Sequence, residues 1–176
     1  MSTPREPEVF CTELGPRLLG SLTLFCGDRL VAEELAQEAL ARAFERWNRV
    51  AEMAAPEAWV YRTAFNLARS GFRRRAAERR SLRRWAAGRP SVVEPPDTAA
   101  ALTVRRLVSE LPPRQRVAIV ARYYSGLSVD ETAEALSCAP GTVRALTHQA
   151  IVRLRAAGLS DLEDPNAEEQ ASVQTR

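Results

Sequence analysis

Residues 56–75, PEAWVYRTAFNLARSGFRRR, decide how this chain is read. At helical spacing they carry two faces. Val60, Tyr61, Ala64, Phe65, Leu67, Ala68 and Phe72 form a broad apolar stripe, which predicts a helix seated on a core. Arg62, Asn66, Arg69 and Arg73 follow at intervals of four, three and four, so they share another side, with Trp59 one turn before Arg62. Guanidinium groups neutralise phosphates, and a flat ring gives an unpaired base a surface to stack on. The same pattern also fits a solvated arginine face on a core helix, so the stretch by itself leaves both readings open.

The surrounding charge favours a polyanion partner. All 25 basic residues are arginine, which stays charged and forms bidentate contacts with phosphate and guanine. The net charge of +3 hides an asymmetry: residues 62–89 hold ten arginines against Glu78 alone. Residues 1–61 hold ten acids against six arginines, and from 161 onward five acids face only Arg176. A dense basic block between acidic ends points to a polyanion for the block.

Other functional classes fare poorly. Cys11, Cys26 and Cys138 form no CxxC pair, and with His148 as the one histidine a zinc site is not expected. Free thiols in a reducing cytoplasm are the expectation. Arg5, Glu6 and Glu8 precede any apolar run, unlike a signal peptide. The apolar patches 18–26 and 117–121 are too short to span a bilayer, so no membrane insertion is expected. No paired carboxylates, metal-ligand cluster or glycine-rich phosphate loop stand in a plausible context. No catalytic residue, metal or cofactor is therefore predicted.

Helical periodicity dominates and no alternating strand pattern persists, which predicts an all-α fold. A first helix is expected over about 8–26, with Phe10, Leu14, Leu18, Leu22 and Phe25 inward and Pro16 as a kink or the true start. Asp28 would cap a second helix over 29–47 burying Val31, Leu35, Ala39, Ala43 and Trp47 or their neighbours. A loop is expected over 48–55, then the basic helix, with Pro56 in its first turn. The stretch 88–98, GRPSVVEPPDT, reads as a flexible linker. Helices over 99–110, 114–124, 129–137 and 142–157 follow, and then an acidic, disordered tail. The expected domains are 8–87 and 99–159, joined by the linker 88–98 and followed by the tail 160–176.

Within 128–155, SVDETAEALSCAPGTVRALTHQAIVRLR, Ser128 and Glu131 fit a capping box. Ala133 is small where two helices would cross, and a four-residue turn over 138–141 leads into a helix burying Val143, Ala150, Leu154 and either Leu146 or Thr147. This is the pattern of a helix-turn-helix, whose second helix enters a major groove. Thr142, Arg144, Ala145, His148 and Gln149 would face DNA, with Arg153 nearer a phosphate. An ordinary αα-hairpin has the same spacing, and His148 suits a base or phosphate contact as well as an inert surface position.

Taken together, these segments resemble an extracytoplasmic-function sigma factor, one of the small two-domain initiation subunits of bacterial RNA polymerase. AEELAQEALARAF at 32–44 and the basic helix resemble parts of the family's region 2. LPPRQRVAIVARYYSGLS at 111–128 and the helix-turn-helix resemble region 4. The resemblance covers roughly 9–157, and the order and spacing of its motifs are specific.

The resemblance implies a function. Glu34, Gln37 and Glu38 match the pattern that binds a coiled coil of the polymerase β′ subunit, while Leu35 beside them faces the core. Spacing puts all three with Arg42 on one helix face, which a solvated acidic patch would share. Trp59, Arg62, Asn66, Arg69 and Arg73, with the loop 48–55, would open and hold the −10 promoter element. Thr142, Arg144, His148, Gln149 and Arg153 would read the −35 element. The tether would run through core polymerase, built from β and β′, and many relatives are restrained by an anti-sigma protein. The chain also departs from the family. Arg144, Ala145 and Leu146 follow Gly141-Thr142-Val143 where relatives carry a basic residue, Ser and Arg. Gln149 fills a usually basic position, and Ser137 stands where relatives carry glycine. Weaker or altered −35 recognition, resting on Arg144, is expected. The rival functions are a stand-alone helix-turn-helix regulator, which needs no basic helix at 56–75, and an RNA-binding adaptor.

Overall fold

The computed structural model describes residues 6–82 and 99–159, with side chains left out from 72 to 100. The linker 88–98, the arginine-rich start of the tether past 82 and the tail 160–176 lie outside the described residues, as does the Arg73 side chain. Among the described residues the fold is all-helical.

Helix α1, Pro7–Cys26, opens with Pro at its first position and ends at Gly27, whose left-handed φ of 70° lets its N–H reach the Thr23 carbonyl. Pro16 neither starts nor stops it; the helix runs through, with Pro16 on the exposed side where the unpaired carbonyl meets water. Phe10, Leu14, Leu18, Leu22 and Phe25 are all buried as the periodicity requires. Asp28 caps α2, Arg29–Glu45, by accepting from the Val31 N–H at 3.1 Å.

Helix α2 buries an alanine stripe, Ala32, Ala36, Ala39 and Ala43, while Val31, Leu35 and Trp47 are half-buried. Small side chains let α1 and α2 approach closely. The expected helix to residue 47 stops at Glu45, and the expected loop 48–55 begins with a short helix α3, Trp47–Val50, followed by a turn. Arg46 breaks the helix there, and Trp47 then packs its ring 4.9 Å from Phe10 while Val50 is fully buried. Helix α4, Pro56–Leu82, extends past 75. Its Val60, Tyr61, Ala64, Phe65 and Ala68 are buried and Leu67 is half-buried, with Phe65 edge-on to Phe25 at 5.6 Å.

The C-terminal unit holds α5, Ala99–Glu110; α6, Pro113–Ile119; α7, Val129–Leu136; and α8, Pro140–Ala156. The helix predicted over 114–124 is two pieces, because α6 passes into a π-helical turn, Val120–Tyr124. Arg116 ties this unit together: its guanidinium donates to the carbonyls of Leu111 at 3.0 Å and Ser109, and to Phe25 of α1 at 3.1 Å. Burial pushes the Arg116 pKa down, and the three carbonyls supply acceptors in place of water.

The two units share one core. Val117, Ala118, Ala121, Leu127, Ala135 and Leu136 join the buried cluster of α1, α2 and α4, and Leu24 of α1 packs against the second cluster around Leu107, Ile119, Ile151 and Leu154.

Candidate polymerase and promoter surfaces

Burial of one side of α4 fixes what the other side shows. Arg62, Asn66 and Arg69 are exposed and make no hydrogen bond or ion pair with the described residues. Trp59 is half-buried against the core edge, so part of its ring is left for stacking. Three groups of the predicted row thus stand together, free to take anionic oxygens.

On α2 the alanine stripe turns Glu34, Gln37 and Glu38 to solvent. Arg42 donates from Nε to Glu38 at 2.7 Å, which holds that carboxylate upright, while Glu34 and Gln37 carry no partner among the described residues. Leu35 is half-buried on the core as expected. Sequence reasoning missed two residues of this face: Leu30 is 73% exposed and Phe44 50%. Spacing places them with 34, 37, 38 and 41, so the acidic strip has an apolar anchor at each end. The alanine stripe was the signal, since it marks the buried side and throws Leu30 and Phe44 out.

The helix-turn-helix has the predicted capping box: Ser128 Oγ accepts from the Glu131 N–H at 3.1 Å, and the Ser128 N–H donates to Glu131 Oε2 at 2.8 Å. Ala133 meets Val143 and Val129 in a small buried cluster where the helices cross. The turn is shorter than the predicted 138–141. Ser137, at φ 52°, ends α7 in the left-handed region, and Pro140 already opens α8. Thr147 is buried and Leu146 half-buried, Leu146 packing on the N-terminal core. Arg144, His148, Gln149 and Arg153 are exposed and Thr142 is partly so. Gln149 accepts from Gln115 Nε2 at 2.9 Å, so its carbonyl is already engaged.

Two families match along the chain, sigma-70 region 2 over residues 10–78 and sigma-70 region 4 over 101–154. The RNA polymerase sigma-E factor of Streptomyces avermitilis is 31% identical over 140 residues, covering 78% of this chain and 76% of that one. This chain belongs to the extracytoplasmic-function sigma factors. The ECF RNA polymerase sigma factor SigL of Mycobacterium tuberculosis is 31% identical over 135 residues, 73% of this chain and 75% of its own. A solved sigma factor, RpoE of Bartonella quintana in complex with the anti-sigma factor NepR, shares the fold with a TM-score of 0.71. It is 24% identical, over 87% of this chain and 98% of its own. As a sigma factor, the protein directs promoter recognition and transcription initiation by RNA polymerase. A stand-alone helix-turn-helix regulator has no use for a region 2, which matches here across α1, α2, α3 and most of α4. Among the described residues no helix is long and apolar enough to cross a membrane, and no three His, Cys, Asp or Glu side chains gather as metal ligands.

Proposed function

We propose that the initiation task divides among three surfaces. The outer face of α2, with Glu34, Gln37 and Glu38 between Leu30 and Phe44, grips the β′ coiled coil of core polymerase. The free row Arg62, Asn66 and Arg69, continued by Arg73 and flanked by Trp59, holds the opened −10 strand. Helix α8 reads the −35 duplex through Arg144, with Thr142, His148, Gln149 and Arg153 around it. Residues 8–87 and 99–159 act as the two working domains, linked through 88–98. The protein performs no catalysis of its own and works in the cytoplasm. An anti-sigma protein is a further partner, as the solved RpoE was found with one.

The observation that carries this reading is the exposed Arg62–Asn66–Arg69 row, unpaired among the described residues, on the back of a helix whose other face is core. Phosphate contact and base stacking offset the few kcal/mol that unstacking costs. The test is capture by purified core polymerase, followed by run-off transcription from genomic DNA. Glu34→Arg with Glu38→Arg is expected to weaken core capture at least tenfold and to abolish run-off products, with the helical circular-dichroism spectrum unchanged. Undiminished capture by the folded double variant overturns the assignment.

A further inference from the structure

We propose that Gln115 of α6 is a positioning residue for promoter reading: its hold on the Gln149 carbonyl fixes which way round the Gln149 amide meets the −35 duplex, and so selects adenine over guanine at one base pair. This rests on the assignment of α8 to the −35 element above.

The pair is built into the frame of the C-terminal unit. Gln115 stands in the first turn of α6, where its N–H donates to the Pro112 carbonyl at 2.9 Å. Ile119, four residues on and so on the same face, shares a buried cluster with Ala150 and Ile151 of α8. That packing sets Gln115 beside Gln149. Gln115 is only 6% exposed, and its Nε2 donates to Gln149 Oε1 at 2.9 Å. Its own Oε1 is buried and makes no hydrogen bond with the described residues. The one side-chain bond of this buried glutamine therefore goes to a surface residue of the recognition helix. A buried polar atom without a partner costs stability, so packing alone does not account for a glutamine here.

An amide is asymmetric, with an oxygen that accepts two hydrogen bonds and a nitrogen that donates two. On an unrestrained surface it can turn over and present the two in either order. Here Gln115 takes one Oε1 lone pair and opposes the reversal, which would set Nε2 of Gln149 against Nε2 of Gln115, donor against donor. The second lone pair and the Nε2 hydrogens stay available, since Gln149 is exposed and Ala145, one turn earlier on the same side, is too small to cover it. In that order the amide complements adenine, accepting from N6 and donating to N7. Guanine would set its O6 acceptor against Oε1. A freed amide could turn over and donate to guanine O6 or N7 instead, so selectivity, more than affinity, depends on Gln115.

The test selects bound sequences with the full chain assembled on core polymerase, from duplexes randomised across the −35 element. Gln149→Ala marks the base pair in question, as the one whose preference it removes. At that pair the wild type is expected to favour adenine over guanine about fivefold, the low end of what a two-bond contact gives. Gln115→Met is nearly isosteric and leaves no buried oxygen unpaired, so it is expected to fold. It should bring the ratio close to one while the preference at the Arg144 base pair stays as it is. A residue that merely supported the fold would weaken binding at all positions alike. In a Gln149→Ala background Gln115→Met should change nothing further. Without DNA, the Gln115 side-chain NH2 resonance is expected to shift in Gln149→Ala. A ratio that survives Gln115→Met overturns the proposal, as does a guanine preference in the wild type or an unmoved resonance. A pool that changes in Arg144→Ala but not in Gln115→Met counts against Gln115 alone. If Arg144→Ala and Gln149→Ala both leave the pool unchanged, the α8 assignment falls and this proposal with it.

Discussion

Helices α4 and α8, the two proposed to hold nucleic acid, each bury one side, yet their outer sides are equipped differently. On α4 the buried side carries Val60, Tyr61 and Phe65, and the outer side shows two arginines and an asparagine with no partner among the described residues. On α8 the outer side shows Arg144 and Arg153, but Gln149 is tied to Gln115 and Leu146 turns back to the core. A heavy aromatic anchor frees a whole face for the ligand. A lighter anchor recruits part of that face into packing. Promoter affinity should therefore lean on α4, and −35 discrimination should be modest.

The strongest way to break this contrast is to remove its larger side. Arg62→Ala with Arg69→Ala is expected to cost about 3 kcal/mol of promoter binding in the holoenzyme, from two charge-assisted contacts. The salt dependence on a single-stranded −10 probe should flatten by about 1.4 in its logarithmic slope. Arg144→Ala should cost less, about 1–2 kcal/mol, and relax preference at one −35 base pair, measured with single-substitution duplexes. Losses of equal size at both sites would erase the contrast. Gln149→Arg should sharpen it from the other direction, steepening the duplex salt slope by about 0.9 for one added phosphate contact.

Much of the frame was legible. A 3.6-residue apolar period has few solutions, and all five predicted inward residues of α1 are buried. The Ser128–Glu131 box is equally local: two side chains and two backbone groups within one turn. What escaped depends on distant partners. Leu30 and Phe44 would have been placed inside by their hydrophobicity, whereas close approach of α1 selects the alanines of α2 instead. Trp47–Val50 is too short to show a period. The contact between units rests on Gly20, Ser21 and Ser125, residue types that read equally as surface or turn until a neighbour some hundred positions away is supplied.

Two smaller effects refine the comparison between units. Ser137 holds a left-handed φ that costs an L-residue about 1 kcal/mol, so Ser137→Gly should raise the stability of the helix-turn-helix by about that much in urea unfolding. Relief at this site should leave the α4 contacts untouched. Tyr61, beside Ser21 of α1 and Ser125 of the C-terminal unit, responds to pH. Burial pushes its phenol above the ordinary value, as does Glu57 more weakly, while the Ser125 and Ser21 hydroxyls and Arg17 pull it down. No well-formed hydrogen bond reaches its hydroxyl. An unfolded chain loses this proton near pH ~10, before the folded one does. Stability from Tyr61 is thus complete below pH ~10 and declines as pH rises toward the folded value. Tyr61→Phe should remove that alkaline slope, read from urea midpoints between pH ~9 and ~11, with little change at neutral pH.

The π-helical turn gives this molecule an unusual genetic sensitivity. One residue turns an α-helix by about 100°, so deleting a single codon within 120–124 would change which side chains of this turn face α1, the buried Val120 and Ala121 among them.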